Sequence, residues 1–235
     1  LYQWMRRQLG EAVSGIELMS GFGVGLVTGH FANLRNPLAE PSEWYVLTEL
    51  AGHAGLQDNV EGFFGEEIEA GRIADAVLAS SEAQRQALWD LREHTPEANR
   101  LTGAICSSDT SVPIASVERF VAETHAALAK LHPGLRVNSY GHIGDGNIHH
   151  NVFPPEGVTK PDFVAATPGI IEAVRMAINE VTVACDGAIS AEHGIGRLKV
   201  NDLARYAQPA KLNTIRAIKA AMDPKNILNP GALIG

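Results

Sequence analysis

The chain has 235 residues, 45% of them hydrophobic, which is enough for a substantial core in one large or two small domains. Its 19 basic and 27 acidic residues leave a net charge of -8, and no Lys/Arg run is longer than Arg6-Arg7, which argues against nucleic acid and anionic membranes as partners. No apolar run reaches the roughly 18 residues of a membrane span.

Taken in order, residues 1–9 predict the tail of a helix, and Gly15–Met19 a short strand. The glycine-rich stretch from Gly21 to Gly29 lacks the third glycine of a G-x-G-x-x-G cradle, so it predicts a small-residue helix or loop packed on a sheet. Trp44 to Ala51 reads as a strand. Asp58-x-x-Glu61 resembles a capping box opening a helix that ends at Gly71, and Ala74–Ala79 has the composition of a further strand. Ser81-x-x-Gln84 caps the next helix, with Ala87, Leu88 and Leu91 on its stripe, Arg92 at its end and Pro96 as its stop. Leu101–Ser111 is expected to be extended, and 116–131 to be a helix.

The stretch from Asn138 to Phe153 predicts a hairpin, since Asp145-Gly146 suits a two-residue type I′ turn. That register sets His142 opposite His149, with Cβ atoms about 5 Å apart. Period-two alternation places Tyr140, Asn147 and Asn151 on the same polar face, and turns Ile143, Ile148, Val152 and His150 away from it. A loop over 154–168 follows, then a helix carrying Ile170, Val174, Ala177, Ile178 and Val181 that ends near Asp186-Gly187. Residues 187–197 form a second glycine-punctuated loop with adjacent Glu192 and His193, and a last helix spans Pro209 to Met222 before a turn-rich tail. Helices and strands interleave around a tight hairpin, so the expected fold class is α+β: a mostly antiparallel sheet with helices on one face, of ferredoxin-like type.

Two neutral imidazoles and one carboxylate around a divalent ion, with positions left open for substrate, form a recurrent catalytic arrangement. His142 and His149 supply the pair, and either Glu192 or Asp145 the oxygen. Asp145 sits at the turn tip and points along the hairpin axis, which favours Glu192; His193 then stands beside the ion. Arg92 on spacing alone merely complements a helix dipole, and Asn229 before Pro230 is by default a turn residue. Cys106 and Cys185 lack zinc-finger spacing and read as free buried thiols, which fits a reducing, cytoplasmic location.

The segments GHIGDGNIHHNV (141–152), GAISAEHGIGRLK (187–199) and AAMDPKNILNPG (220–231), with LWDLREH (88–94) and SDTSVP (108–113), resemble FAD-linked oxidases of the vanillyl-alcohol oxidase superfamily. Within it they look most like the C-terminal half of the D-2-hydroxyacid dehydrogenases acting on D-2-hydroxyglutarate, D-lactate or glycolate. The resemblance implies His142, His149 and Glu192 as metal ligands with zinc as the ion, and His193 as general base. It also implies Arg92 and Asn151 at the substrate carboxylate and Asn229 near the flavin. The implied reaction oxidises a D-2-hydroxy acid to the 2-oxo acid with FAD as acceptor.

Two positions depart from the pattern. Ser107 stands where relatives often carry a lysine, and Pro96 where the hydroxyglutarate enzymes place a threonine, with Thr95 adjacent; the first bears on recognition of a second carboxylate. The whole chain, 1–235, is then expected to be one substrate- and metal-binding domain, without the FAD-binding domain that precedes it in the family. Expected partners are a small 2-hydroxy acid, that FAD-binding domain, an unidentified electron acceptor and a second copy in a homodimer. The same constellation of residues would also serve a metal-dependent hydrolase or a non-catalytic metal-binding module.

Overall fold

The computed structural model describes residues 2–52 and 55–234, so the expected helix over 1–9 is described except for residue 1. The chain runs α1 (Tyr2–Leu9), β1 (Val13–Ser20), α2 (Gly21–His30), β2 (Trp44–Leu50), α3 (Leu56–Glu69), α4 (Glu82–Glu93), α5 (Thr95–Thr102), β3 (Cys106–Ser107) and β4 (Thr110–Ser111). It continues through α6 (Val117–Leu131), β5 (Arg136–His142), β6 (Asn147–Phe153), α7 (Lys160–Ala166), α8 (Ile170–Ala184), α9 (Val200–Tyr206) and α10 (Pro209–Met222). Six strands form one sheet in the order β2-β1-β5-β6-β3, with β4 also on β6, and every ladder is antiparallel. This is the expected α+β class.

The main core lies on one face of the sheet. Phe120, Val121 and Leu128 of α6 and Ile170, Val174 and Ile178 of α8 recur at helical spacing and pack with Ile16, Ile148 and Val152 of the strands. His150 is turned to this side, as alternation requires, and is fully buried: its Nδ1 meets Ser139 Oγ at 2.8 Å, and burial pushes its pKa down to about 3. Helices are not confined to that face. A smaller cluster of Val27 from α2, Leu91 from α4 and Ala98 from α5, with Leu34, covers part of the other. There Ser20 caps α2 by accepting the Gly23 N–H, and its hydroxyl donates to Asn138 Oδ1 at 2.8 Å. Asn138 Nδ2 donates in turn to Asn99 Oδ1 of α5 at 2.8 Å. Gly23 is where α2 meets the strand: a Cβ there would lie 2.3 Å from Asn138 Oδ1.

Several local expectations are corrected. The hairpin connection is the four-residue loop 143–146, not a two-residue turn, and β5 pairs with β6 through His142↔Asn147 and Tyr140↔His149. A tertiary contact sets this loop. Gly146 O accepts the Val112 N–H at 3.0 Å, and at φ 76° a Cβ on Gly146 would lie 1.9 Å from Val112 O. Residues 74–79 form no strand, having no ladder partner among the described residues. Gly55, not Asp58, is the N-cap of α3. Pro96 opens α5 instead of ending the helical run, because its fixed φ suits the first turn and its missing N–H costs nothing there. Helix α5 therefore delays the extended segment beyond Thr102. Helix α7 lies inside the expected 154–168 loop, capped by Thr159 accepting the Asp162 N–H at 3.3 Å, and α9 was likewise unexpected. Helix α10 buries none of its residues, and Ile218, Met222, Ile227, Leu228 and Leu198 are exposed.

Candidate functional site

The site face of the sheet is the one carrying Glu17 of β1, Tyr140 and His142 of β5, and Asn147, His149 and Asn151 of β6. The two histidines are not direct cross-strand partners as expected. His149 lies two pairs further along the ladder, opposite Tyr140, and still on the same face, because the register differs by two residues and side chains alternate with period two.

Two lines of contact cross this face from α4 to the loop after α8. In the first, Arg92 Nε donates to Glu17 Oε2 at 2.7 Å, His142 Nδ1 bonds Glu17 Oε1, and His142 Nε2 lies 3.5 Å from Glu192 Oε1. In the second, the Arg92 guanidinium lies 4.7 Å above the Tyr140 ring, Tyr140 packs on His149 with ring centres 5.1 Å apart, and His149 stacks on His193 at 6.0 Å. The structure thus brings together Arg92, His142, His149, Glu192 and His193.

Both hairpin histidines have Nδ1 engaged by a group that can only accept: the Glu17 carboxylate for His142, and the Ser108 carbonyl at 3.0 Å for His149. Each Nδ1 therefore carries a hydrogen, and in the neutral ring each Nε2 keeps the lone pair. Burial lowers the pKa of His149, which favours the neutral, ligating form.

The loop bearing Glu192 and His193 is held by Asp109, at the bend between β3 and β4. The Asp109 carboxylate accepts the N–H groups of Ala191 at 3.2 Å, Glu192 at 3.2 Å and His193 at 2.9 Å, and the Ser190 hydroxyl at 3.3 Å. Lys199 Nζ reaches Asp109 Oδ2 at 3.6 Å and donates to Ile189 O at 2.9 Å, closing the loop from behind. Burial would raise the Asp109 pKa, but these N–H donors and the lysine outweigh it and hold the carboxyl below its ordinary value. Among the described residues, the group of three whose ligating atoms all fall within 4.8 Å of one another is Asp109, Glu192 and His193; His142, His149 and Glu192 share the face but are not drawn together that closely.

Asn151 is buried opposite Asn138, and its Oδ1 takes the Ser107 hydroxyl at 2.5 Å while its Nδ2 has no partner among the described residues. Ser107 thus occupies the site side of β3. Asn229 bonds to none of the histidines among the described residues: Arg197 Nη2 donates to its Oδ1 at 3.3 Å, and Leu233 N–H to Gly196 O at 2.7 Å, so the tail folds back on the loop after α8. Glu17 and Lys199 escaped the sequence reading. The only signal for Glu17 is a lone carboxylate between Ile16 and Leu18, which alternation reads equally as a solvent-facing position.

Residues 3–233 match the family described as FAD linked oxidases, C-terminal domain. Among curated relatives, D-2-hydroxyglutarate dehydrogenase of Xanthomonas citri pv. viticola is 39% identical over 199 residues, 84% of this chain and 41% of that protein. The mitochondrial D-2-hydroxyglutarate dehydrogenase of Bos taurus is 36% identical over 232 residues, covering 97% of the chain and 40% of the relative. That of Arabidopsis thaliana, also mitochondrial, is 33% identical over 227 residues, 96% and 38% respectively. The chain therefore spans about two fifths of the length of these relatives.

Proposed function

The chain belongs to the FAD linked oxidases, as their C-terminal domain, and on that premise we propose that it forms the substrate- and metal-binding half of an FAD-dependent D-2-hydroxyacid dehydrogenase. D-2-Hydroxyglutarate or D-lactate is the substrate class, converted to the 2-oxo acid. The observation that carries the reading is the pair of imidazoles on one sheet face, each with Nδ1 tied to an acceptor and Nε2 left as a lone pair, beside Glu192. Ligating histidines in metal sites bear this second contact as a rule.

The donor set fits a divalent ion. His142, His149 and Glu192 would hold it, and zinc suits two imidazoles and a carboxylate. Asp109 is the poorer ligand of the alternative grouping, since its oxygens are already taken by backbone N–H groups and Lys199. When bound, the ion would polarise the substrate hydroxyl as a Lewis acid, and FAD would accept the two electrons.

The chain's own side chains do the rest. His193, stacked on His149 and 68% exposed at its side chain, takes the hydroxyl proton as general base. Arg92, whose Nη groups make no hydrogen bond among the described residues, binds the carboxylate side of the substrate, and Asn151 offers its unpartnered Nδ2. Asn229, on the tail, faces the flavin. The FAD-binding part of the protein is the partner, and the exposed apolar residues of α10 and the tail are the surface available to it. Neither the hydrolase nor the non-catalytic reading draws support from the relatives.

The test is bleaching of the flavin in the complete FAD-containing protein when a D-2-hydroxy acid is added without oxygen. His193→Ala should slow the reduction by roughly 100- to 10,000-fold at unchanged metal content. Full activity in that variant removes the base assignment, and a wild-type protein that reduces no flavin with any such acid removes the function.

A further inference from the structure

We propose that Glu17 is the positioning residue of this site, setting the metal ligand His142 and the substrate-facing Arg92 from one buried carboxylate; this rests on the reading of the site given above. Glu17 lies in the middle of β1, opposite His142 on one side and Leu47 on the other, and only 5% of it is exposed. A carboxylate is costly to bury in a sheet unless both oxygens are paired. Here they are divided, Oε2 taking Arg92 Nε at 2.7 Å and Oε1 taking His142 Nδ1. Among the described residues no other side chain bonds both partners.

Each partner is constrained in a way the chemistry needs. Because the carboxylate can only accept, the His142 hydrogen is held on Nδ1 and the lone pair on Nε2, the atom 3.5 Å from Glu192 Oε1. Because Arg92 is held through Nε, its guanidinium lies over Tyr140 and its two Nη groups remain for a ligand. Glu17 therefore touches neither substrate nor ion, yet fixes the geometry of a group that meets each. A metal centre with this second contact removed typically binds its ion about 10- to 100-fold more weakly.

Glu17→Gln keeps size and shape but can accept from only one partner, setting an N–H against the other. Zinc affinity, measured on the metal-free protein by competition with a chromophoric chelator, should fall roughly 10- to 100-fold. The visible spectrum of the cobalt-substituted variant should shift, and Glu17→Asp should recover part of the affinity. A Glu17→Gln protein that is folded and binds zinc as tightly as the wild type, with an unaltered cobalt spectrum, overturns the role of Glu17 and leaves the site reading standing. A wild-type protein that binds no divalent ion defeats the site reading itself, and Glu17's role with it. Should Glu17→Gln not fold, the imidazole nitrogens of the metal-free wild type decide by long-range ¹H–¹⁵N NMR. The Nδ1–H tautomer is expected at His142, and Nε2–H there overturns the proposal.

Discussion

Replacing Asp109 tests how the loop carrying Glu192 and His193 is held. Its carboxylate, 3% exposed at the side chain, receives three consecutive backbone N–H groups, the Ser190 hydroxyl and the Lys199 ammonium. Asp109→Asn can keep an oxygen toward the His193 N–H, but it loses the charge that roughly doubles the strength of such bonds. The expected loss in local opening free energy of the loop is about 1.5–3 kcal/mol. At about 1.4 kcal/mol per factor of ten, the amides of residues 191–193 should exchange with deuterium roughly 10- to 100-fold faster. Asp109→Ala leaves every donor and Lys199 without the carboxylate and should cost more, about 3–5 kcal/mol. Hydrogen exchange followed by NMR or mass spectrometry on the metal-free protein reads this directly. Wild-type exchange rates at 191–193 in both variants, or equal effects of Asn and Ala, would refute the assignment of Asp109 as the loop's anchor.

Further outcomes follow from other contacts. Gly146→Ala places a Cβ 1.9 Å from Val112 O at a φ of 76°, and should cost about 2–4 kcal/mol in denaturant unfolding; a loss under 1 kcal/mol would mean that the loop shifts freely. Gly23→Ala pushes on Asn138, itself bonded to Ser20 and Asn99, and should lower stability by about 1–3 kcal/mol, read from the same curves. Burial raises the Cys106 thiol from 9.0 to about 11, so below that pH it stays protonated. At pH 8 its alkylation by iodoacetamide, followed by peptide mass spectrometry, should be about 100-fold slower than that of an ordinary thiol and rise tenfold per pH unit. Because an ion bound by the folded state alone stabilises it, zinc at about 100 times its dissociation constant should add roughly 2.7 kcal/mol to unfolding, and a chelator should abolish that increment.

The sequence by itself determined the long helices and most of the strands, because the spacing of apolar residues records which side of each element meets a core. Helices α6 and α8 and strands β1, β2 and β6 are legible in this way; α10, which buries none of its residues, is legible from the Pro209 at its start, and the cap of α4 from its S-x-x-Q signature, where Ser81 accepts the Gln84 N–H. It also determined that His142 and His149 share a face. An even slip in register leaves that unchanged, although it moves His149 from the position opposite His142 to the one opposite Tyr140.

What only the tertiary structure decided lies in contacts distant along the chain. The turn at 143–146 is selected by Val112, which binds Gly146 from another strand connection, and no property of Asp145-Gly146 announces it. Residues 74–79 have strand composition but no partner, and a strand exists only in its ladder. Glu17 meets His142 across 125 positions, and Asp109 meets His193 across 84, and at such separations neither pairing leaves a local pattern. The identity of the chemical groups was written in the sequence. Which nitrogen of His142 carries the hydrogen, and what holds the loop of Glu192 over it, was settled by a carboxylate delivered from another strand and by a buried bend, because burial makes such charges seek partners wherever the fold brings them.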